Sequence, residues 1–211
     1  MRRGRRVRSG TVCERDPRMS TLTVSATINY SLLILPDVTL IDFTNTSLRG
    51  FATASFASGD DVIAGRMGAD KLLGGEGDDQ FVYNGVLDGS VDEIIDGGGG
   101  KDIITGGNQG DLHVFNSIAE SGVGAARDKI TDFSIGNDII DLSAIDAIAG
   151  GADDAFVFKG QSAFDGAGQV RFTLTGGGNT IVEADLDGNG VADFQILLTG
   201  LISLTADEFI L

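Results

Sequence analysis

The sequence predicts an all-β protein made largely of tight turns, with a short parallel solenoid of stacked blocks in its middle and further β structure on either side. Three observations carry the prediction. Glycine, aspartate and one large apolar residue recur nine residues apart in three registers between positions 59 and 81. The 211 residues include 32 glycines, two prolines and no tryptophan, a composition suited to frequent turns rather than long helices. The stretches between the glycine clusters are short and rich in Thr, Val, Ile, Leu and Phe, the residues that fit a pleated, half-buried surface.

Residues 1–19 stand apart. Seven of the 15 Lys and Arg (Arg2, Arg3, Arg5, Arg6, Arg8, Arg15 and Arg18) fall there beside Glu14 and Asp16, leaving eight basic against 29 acidic residues in the rest of the chain, a net −21. The start reads as a disordered basic tail, or as a stretch upstream of a true start at Met19. It lacks the aromatic interleaving of a nucleic-acid arm and the apolar core of an export leader. The acidic body disfavours nucleic acid and anionic lipid and favours cations. Cys13 is the single cysteine, so neither an intramolecular disulfide nor a thiolate metal site is available.

Residues 20–56, "STLTVSATINYSLLILPDVTLIDFTNTSLRGFATASF", read as an N-terminal β segment. Its apolar run "YSLLILPDV" is too short to span a bilayer, and no stable membrane insertion is expected.

The repeats occupy residues 57–114, interrupted at 83–96. Asp61, Asp70 and Asp79 are nine apart, as are Gly59, Gly68 and Gly77, and Ile63, Leu72 and Phe81; Gly65 and Gly74 open the second and third blocks. After the interruption the pattern returns as "GGGGKDIIT" and "GGNQGDLHV", with Asp102 and Asp111 again nine apart. Glycines accept positive φ and turn backbone carbonyls toward a common point, the aspartate adds a carboxylate, and the next three residues form a short strand with its central side chain inward. One block cannot bury that side chain alone. Stacked blocks form a parallel solenoid with a continuous core, two blocks to a coil.

These blocks resemble the Gly-Gly-x-Gly-x-Asp-x-apolar-x nonapeptides of RTX (repeats-in-toxin) calcium-binding proteins. The resemblance implies a short parallel β-roll in which calcium sits between turns of blocks 18 residues apart, a spacing Asp61 and Asp79 satisfy. The implied ligand positions fall on Ser58, Gly59 and Asp61; on Gly65, Gly68 and Asp70; on Gly74, Glu76, Gly77 and Asp79; on Gly97, Gly99 and Asp102; and on Gly106, Asn108 and Asp111, with Asp128 and Asp132 beyond the last block.

Residues 115–211 narrow the resemblance. The segments "FNSIAESGVGAARDKITDFSIGNDIIDLSAIDA", "FVFKGQSAFDGAGQVRF", "TIVEADLDGNGVADFQILLTG" and "LTADEFIL" are similar, in this order, to the C-terminal region of serralysin-type (M10) secreted metalloproteases. This implies a β-sandwich-like cap over 115–211 with a type I secretion signal at its end, where Asp207 and Glu208 precede "FIL".

Departures from the motif limit the sites. "FASGDDVIA" lacks the opening glycines, Gln109 replaces a turn glycine and His113 takes an apolar position. Asp70 and Asp102 have no well-formed partner block 18 residues away, whereas Asp111 has Asp128 at 17, a pair that would close a site as the roll ends. About two to four complete calcium sites are expected.

Other chemistries fit poorly. His113 is the only histidine and, without His-Glu-x-x-His, reads as a packed core residue rather than a zinc ligand or general base. No serine has an evident activating base, and the glycine runs at 97–100 and 176–178 lack the Lys-Ser/Thr of a phosphate loop. "DLDGNGVAD", with Asp185, Asp187, Asn189, Gly190 and Asp193, matches the first nine positions of an EF-hand loop, but position 12 is Ile196 and the flanking strands read as a hairpin.

The expected protein is therefore a non-enzymatic, secreted, extracellular calcium-binding module that folds on meeting calcium outside the cell and is exported by type I secretion machinery. The alternatives are a secretion and stability subunit of a split or truncated serralysin-type metalloprotease, and an extracellular adhesin or matrix-binding protein.

Overall fold

A computed structural model of the chain describes residues 21–23, 32–35, 40–42, 53–56, 59–64, 71–82, 93–148, 150 and 153–211, the first four segments and Ala64 as backbone. In chain order the strands are β1 (Thr21–Thr23), β2 (Leu32–Leu35), β3 (Leu40–Asp42), β4 (Thr53–Phe56), β5 (Val62–Ala64), β6 (Lys71–Leu73), β7 (Gln80–Phe81), β8 (Ile94–Asp96), β9 (Ile103–Ile104), β10 (Leu112–Val114), β11 (Asp128–Ile130), β12 (Ile139–Asp141), β13 (Val157–Phe158), β14 (Gln169–Leu174), β15 (Asn179–Asp185), β16 (Phe194–Thr199) and β17 (Phe209–Ile210). Among the described residues, helical structure is limited to 3-10 turns at Gly124–Ala126 and Ala206–Glu208, and no helix is long and apolar enough to cross a membrane.

From β1 to β12 the chain alternates between two sheets. One runs β1-β3-β5-β7-β9-β11-β16-β15-β14-β13, the other β17-β12-β10-β8-β6-β4-β2. Every pairing among the first twelve strands is parallel, so consecutive strands make the two sides of one coil of a β-roll. The strands within 20–56 stack in the same two sheets as the repeats, with β3 against β5 and β4 against β6. β8 falls inside the 83–96 interruption and still pairs with β6 and β10.

The apolar position of each block sets the core. Ile63, Phe81, Ile104 and Ile130 stack in register along one sheet. Leu72, Ile95, His113 and Ile140 stack along the other, and all eight side chains are buried. Fully burying one of the seven apolar side chains among them contributes about 1.5–3 kcal/mol.

The turns allow close coil stacking because they lack side chains. At Gly98 φ is +85°, and a Cβ there would collide with the Gly75 carbonyl of the preceding coil. The cap extends the larger sheet: β16 joins β11 in parallel, and β15 and β14 follow antiparallel. Phe115 and Phe194 meet edge to face at 5.4 Å, tying roll to cap through the shared core.

Candidate metal centre

In the roll an acidic residue precedes each of β5, β7, β8, β9, β10 and β12 and another opens β11, and the stacking aligns these residues into rows. In the larger sheet the Asp61 amide donates to Oδ1 of Asp79 at 2.9 Å. The Asp79 amide donates to Asp102 at 2.8 Å, and the Asp102 amide to Asp128 at 2.8 Å. Each carboxylate thus spends one oxygen holding the coil before it. The second oxygens of Asp79, Asp102 and Asp128 are buried with no hydrogen-bond partner.

Those of Asp79 and Asp102 lie where glycines leave room. Oδ2 of Asp79 and the Gly97 carbonyl both occupy the space a Cβ of Gly74 would take, and Oδ2 of Asp102 occupies that of Gly97. Once Asp79 is ionised, two acceptors converge there without a donor, an arrangement a cation satisfies and a hydrogen bond does not. Loss of solvent pushes Asp79 and Asp102 up to about 7 and Asp128 up to about 8, against the bond from the preceding amide, with neighbouring carboxylates adding to the rise. A hard, oxygen-seeking divalent cation fits this donor set, because its charge offsets the desolvation that keeps the acids protonated.

The second sheet carries a parallel row. The Glu93 amide donates to Oδ1 of Asp111 at 3.1 Å and the Asp111 amide to Oδ1 of Asp138 at 3.0 Å. Asp138 ends this row with both oxygens occupied, the second accepting from the Ser134 amide at 2.8 Å. Oδ2 of Asp111 lies against Gly106.

Asp128 does not close on Asp111. β10 and β11 are consecutive strands in opposite sheets, so a spacing of 17 places the two carboxylates on different rows. Asp102 has stacked partners on both sides, Asp79 at 23 residues and Asp128 at 26. Beyond Asp128 the row is capped by buried Ser121, whose Oγ accepts from the Asp128 amide at 2.8 Å and donates to the Gln195 carbonyl at 2.6 Å.

The other expected positions divide between turn and row. Gly59 and Gly77 have positive φ, and their amides donate to the carbonyls of Glu76 and Gly99 at 2.7 Å. Glu76 is exposed and faces Gly99 across a parallel bridge. Asn108 is exposed. Asp132 accepts from the amides of Gly106 at 3.1 Å and Gly107 at 2.9 Å, so it holds the last turn through backbone donors. Ser58, Gly65, Gly68 and Asp70 lie outside the described residues.

Motif reasoning missed Glu93 and Asp138. A broader signal finds both: an acidic residue, any residue, then Ile, as in Glu93-Ile94-Ile95 and Asp138-Ile139-Ile140.

His113 is buried with neither ring nitrogen bonded, and burial lowers it to about 4. The EF-hand-like loop is the turn between β15 and β16, with Ala184 opposite Phe194. Asp185, Asp187 and Asp193 each bring an oxygen within 4.8 Å of the others. Asp185 receives the amides of Gly188 at 2.7 Å and Gly190 at 2.8 Å, and Asp193 that of Leu186 at 2.8 Å.

Residues 86–211 match the family described as peptidase M10 serralysin C terminal. Among solved structures, the chain is similar to the AlgE6R2 subunit of the Azotobacter vinelandii mannuronan C5-epimerase, at 23% identity and a TM-score of 0.49, covering 80% of this chain and 96% of that one. The AlgE6R3 subunit of the same epimerase matches at 23% identity and a TM-score of 0.37, covering 77% and 78% of the two chains. No curated protein matches the sequence.

Proposed function

The chain belongs to the peptidase M10 serralysin C-terminal family, matched over residues 86–211, and on that premise we propose that it is a secreted calcium-binding module whose β-roll folds when it meets calcium outside the cell. One observation carries the reading: Asp79, Asp102 and Asp128 bury carboxylate oxygens that no donor serves. Bound calcium supplies the positive charge that lets these groups ionise in place.

The residues of the chain do the remainder. In low calcium the acidic body repels itself and the rows carry uncompensated, desolvated carboxylates, which keeps the chain loose enough for export. At high calcium, binding to the folded state alone adds RT ln(1 + [L]/Kd), on the order of 3 kcal/mol per site at a hundredfold excess over Kd. That contribution takes the place of the disulfides that one cysteine does not allow. The same reading assigns a type I secretion signal to the end of the chain, with Asp207 and Glu208 ahead of the apolar "FIL", and no catalytic role. The family match also favours a second reading, a stability subunit for a separate catalytic chain, for which co-purification of a zinc peptidase is the test.

Far-UV circular dichroism of EDTA-treated protein titrated with calcium, with magnesium as control, tests the folding step. A cooperative, calcium-specific gain of β signal is expected. A fully formed spectrum in EDTA that calcium leaves unchanged would sink the reading.

A further inference from the structure

The outward face of the larger sheet carries charge in a fixed order. On β5, β7, β9 and β11 the buried side chains are Ile63, Phe81, Ile104 and Ile130, so strand alternation turns Val62, Gln80, Ile103 and Lys129 outward, and the pairing sets those four side by side. Two residues earlier on each strand stand Asp60, Asp78, Lys101 and Arg127. The Asp78 amide donates to Oδ1 of Asp60 at 3.0 Å and the Lys101 amide to Oδ1 of Asp78 at 2.9 Å, which fixes the first three as neighbours. Across the sheet the row therefore reads acid, acid, base, base.

These charges are not used inside the chain. Among the described residues none of the four forms an ion pair, whereas the cap cations Lys159 and Arg171 are paired with Asp165 and Glu183. Asp60, Asp78 and Lys101 are exposed and Arg127 is half-buried. Beside them Gln80 is exposed, and Ile103 is 39% exposed although it is a large apolar side chain.

A row in that order is self-complementary. Turned about a two-fold axis parallel to the strands and lying between β7 and β9, a second copy brings its Lys101 over Asp78 and its Arg127 over Asp60, and symmetry supplies the reciprocal contacts. The same turn sets Gln80 of one copy on Ile103 of the other, β3 against β16 and β1 against β15. β14 falls outside the overlap, and there Phe164 already covers Arg171, with its ring centre 4.5 Å from the guanidinium. A partner carrying one sign of charge meets repulsion from half of the row; a copy of this chain meets none.

We propose that the chain forms a two-fold dimer through this face, with Asp78 of one copy paired to Lys101 of the other. The overlap is eight strands wide, at about 4.8 Å per strand, and only one short strand deep. That is a small interface, for which a dissociation constant on the order of 10 µM is expected. The dimer requires the assembled roll and stands whether or not calcium is what assembles it.

Sedimentation velocity on the full chain in calcium, from about 5 µM to about 1 mM, tests the dimer, with circular dichroism on each sample to check that the roll is assembled. The wild-type chain is expected to pass from monomer to dimer over that range. Lys101→Glu and Asp78→Lys are each expected to raise the dissociation constant at least about tenfold, because each sets like charges together twice. Mixed in equal amounts, the two variants are expected to recover a dimer as tight as the wild type, since every lysine at these positions then faces an acid. A chain that stays monomeric at about 1 mM overturns the proposal, as does a dimer that neither variant weakens, or a mixture of folded variants that stays monomeric. Should Asp78→Lys fail to fold because Oδ1 of Asp78 holds the Lys101 amide, Asp78→Asn keeps that acceptor and removes the charge. An unchanged dissociation constant there and in Lys101→Glu is then the overturning result.

Discussion

The amide of Asp102 reaches across 26 residues of chain to Oδ1 of Asp128 at 2.8 Å, while Oδ2 of Asp128 stays buried without a donor. One oxygen thereby splices the roll to the cap, and under the proposed function the other is a ligand for calcium.

Asp128→Asn separates those tasks. The amide oxygen preserves the splice, and the new NH2 group points a donor where an acceptor is required. The calcium midpoint of folding is expected to rise about tenfold or more, since a charged ligand contributes about 1.5–3 kcal/mol. An unchanged midpoint in isothermal titration or circular dichroism would exclude Asp128 from the site.

Gly98→Ala tests the turns. Its φ of +85° and the nearby Gly75 carbonyl both oppose a Cβ, so a loss of about 2 kcal/mol or more is expected in urea unfolding with calcium present. Gly176→Ala, where a Cβ meets nothing within 4 Å, is expected to stay within about 0.5 kcal/mol. Equal effects would count against the tight stacking of the coils.

Acid should stabilise the calcium-free chain. Asp79, Asp102 and Asp128 rise from 3.8 to about 7, 7 and 8 on folding, so the folded state holds protons that the unfolded state releases. Their contribution is greatest below pH 4 and is lost as pH climbs through 7 to 8. His113 runs the opposite way, its folded value of about 4 lying below 6.5, and costs stability as pH falls from 6.5 through 4. Three groups outweigh one, so the β signal of the chain in EDTA is expected to fall from pH 5 to pH 8 while calcium affinity rises. A β signal in EDTA that climbs over that range would contradict the burial of the rows.

His113→Leu removes two buried ring nitrogens that nothing bonds and keeps an apolar side chain between Ile95 and Ile140. A gain of about 1–3 kcal/mol is expected from thermal unfolding in calcium. A loss of similar size would mean that the imidazole has a role the packing does not reveal.

Much of this was legible in the nine-residue registers. They mark which residues turn, which carry oxygen and which point inward, because each of those properties is decided within a few residues by backbone conformation and side-chain alternation. The all-β class, the core stack from Ile63 to Ile104 and the Asp61–Asp79 pair follow from that local code. Tertiary structure alone decided which carboxylates meet. The steps from Asp79 to Asp102 and from Asp102 to Asp128 are 23 and 26 residues, longer than two nine-residue blocks, and the length of chain inserted between blocks has no periodic signature. Glu93 and Asp138 joined the second row for the same reason: what qualifies a residue is its place before a strand in the stack, and stacking is set by hydrogen bonds between coils rather than by spacing along the chain.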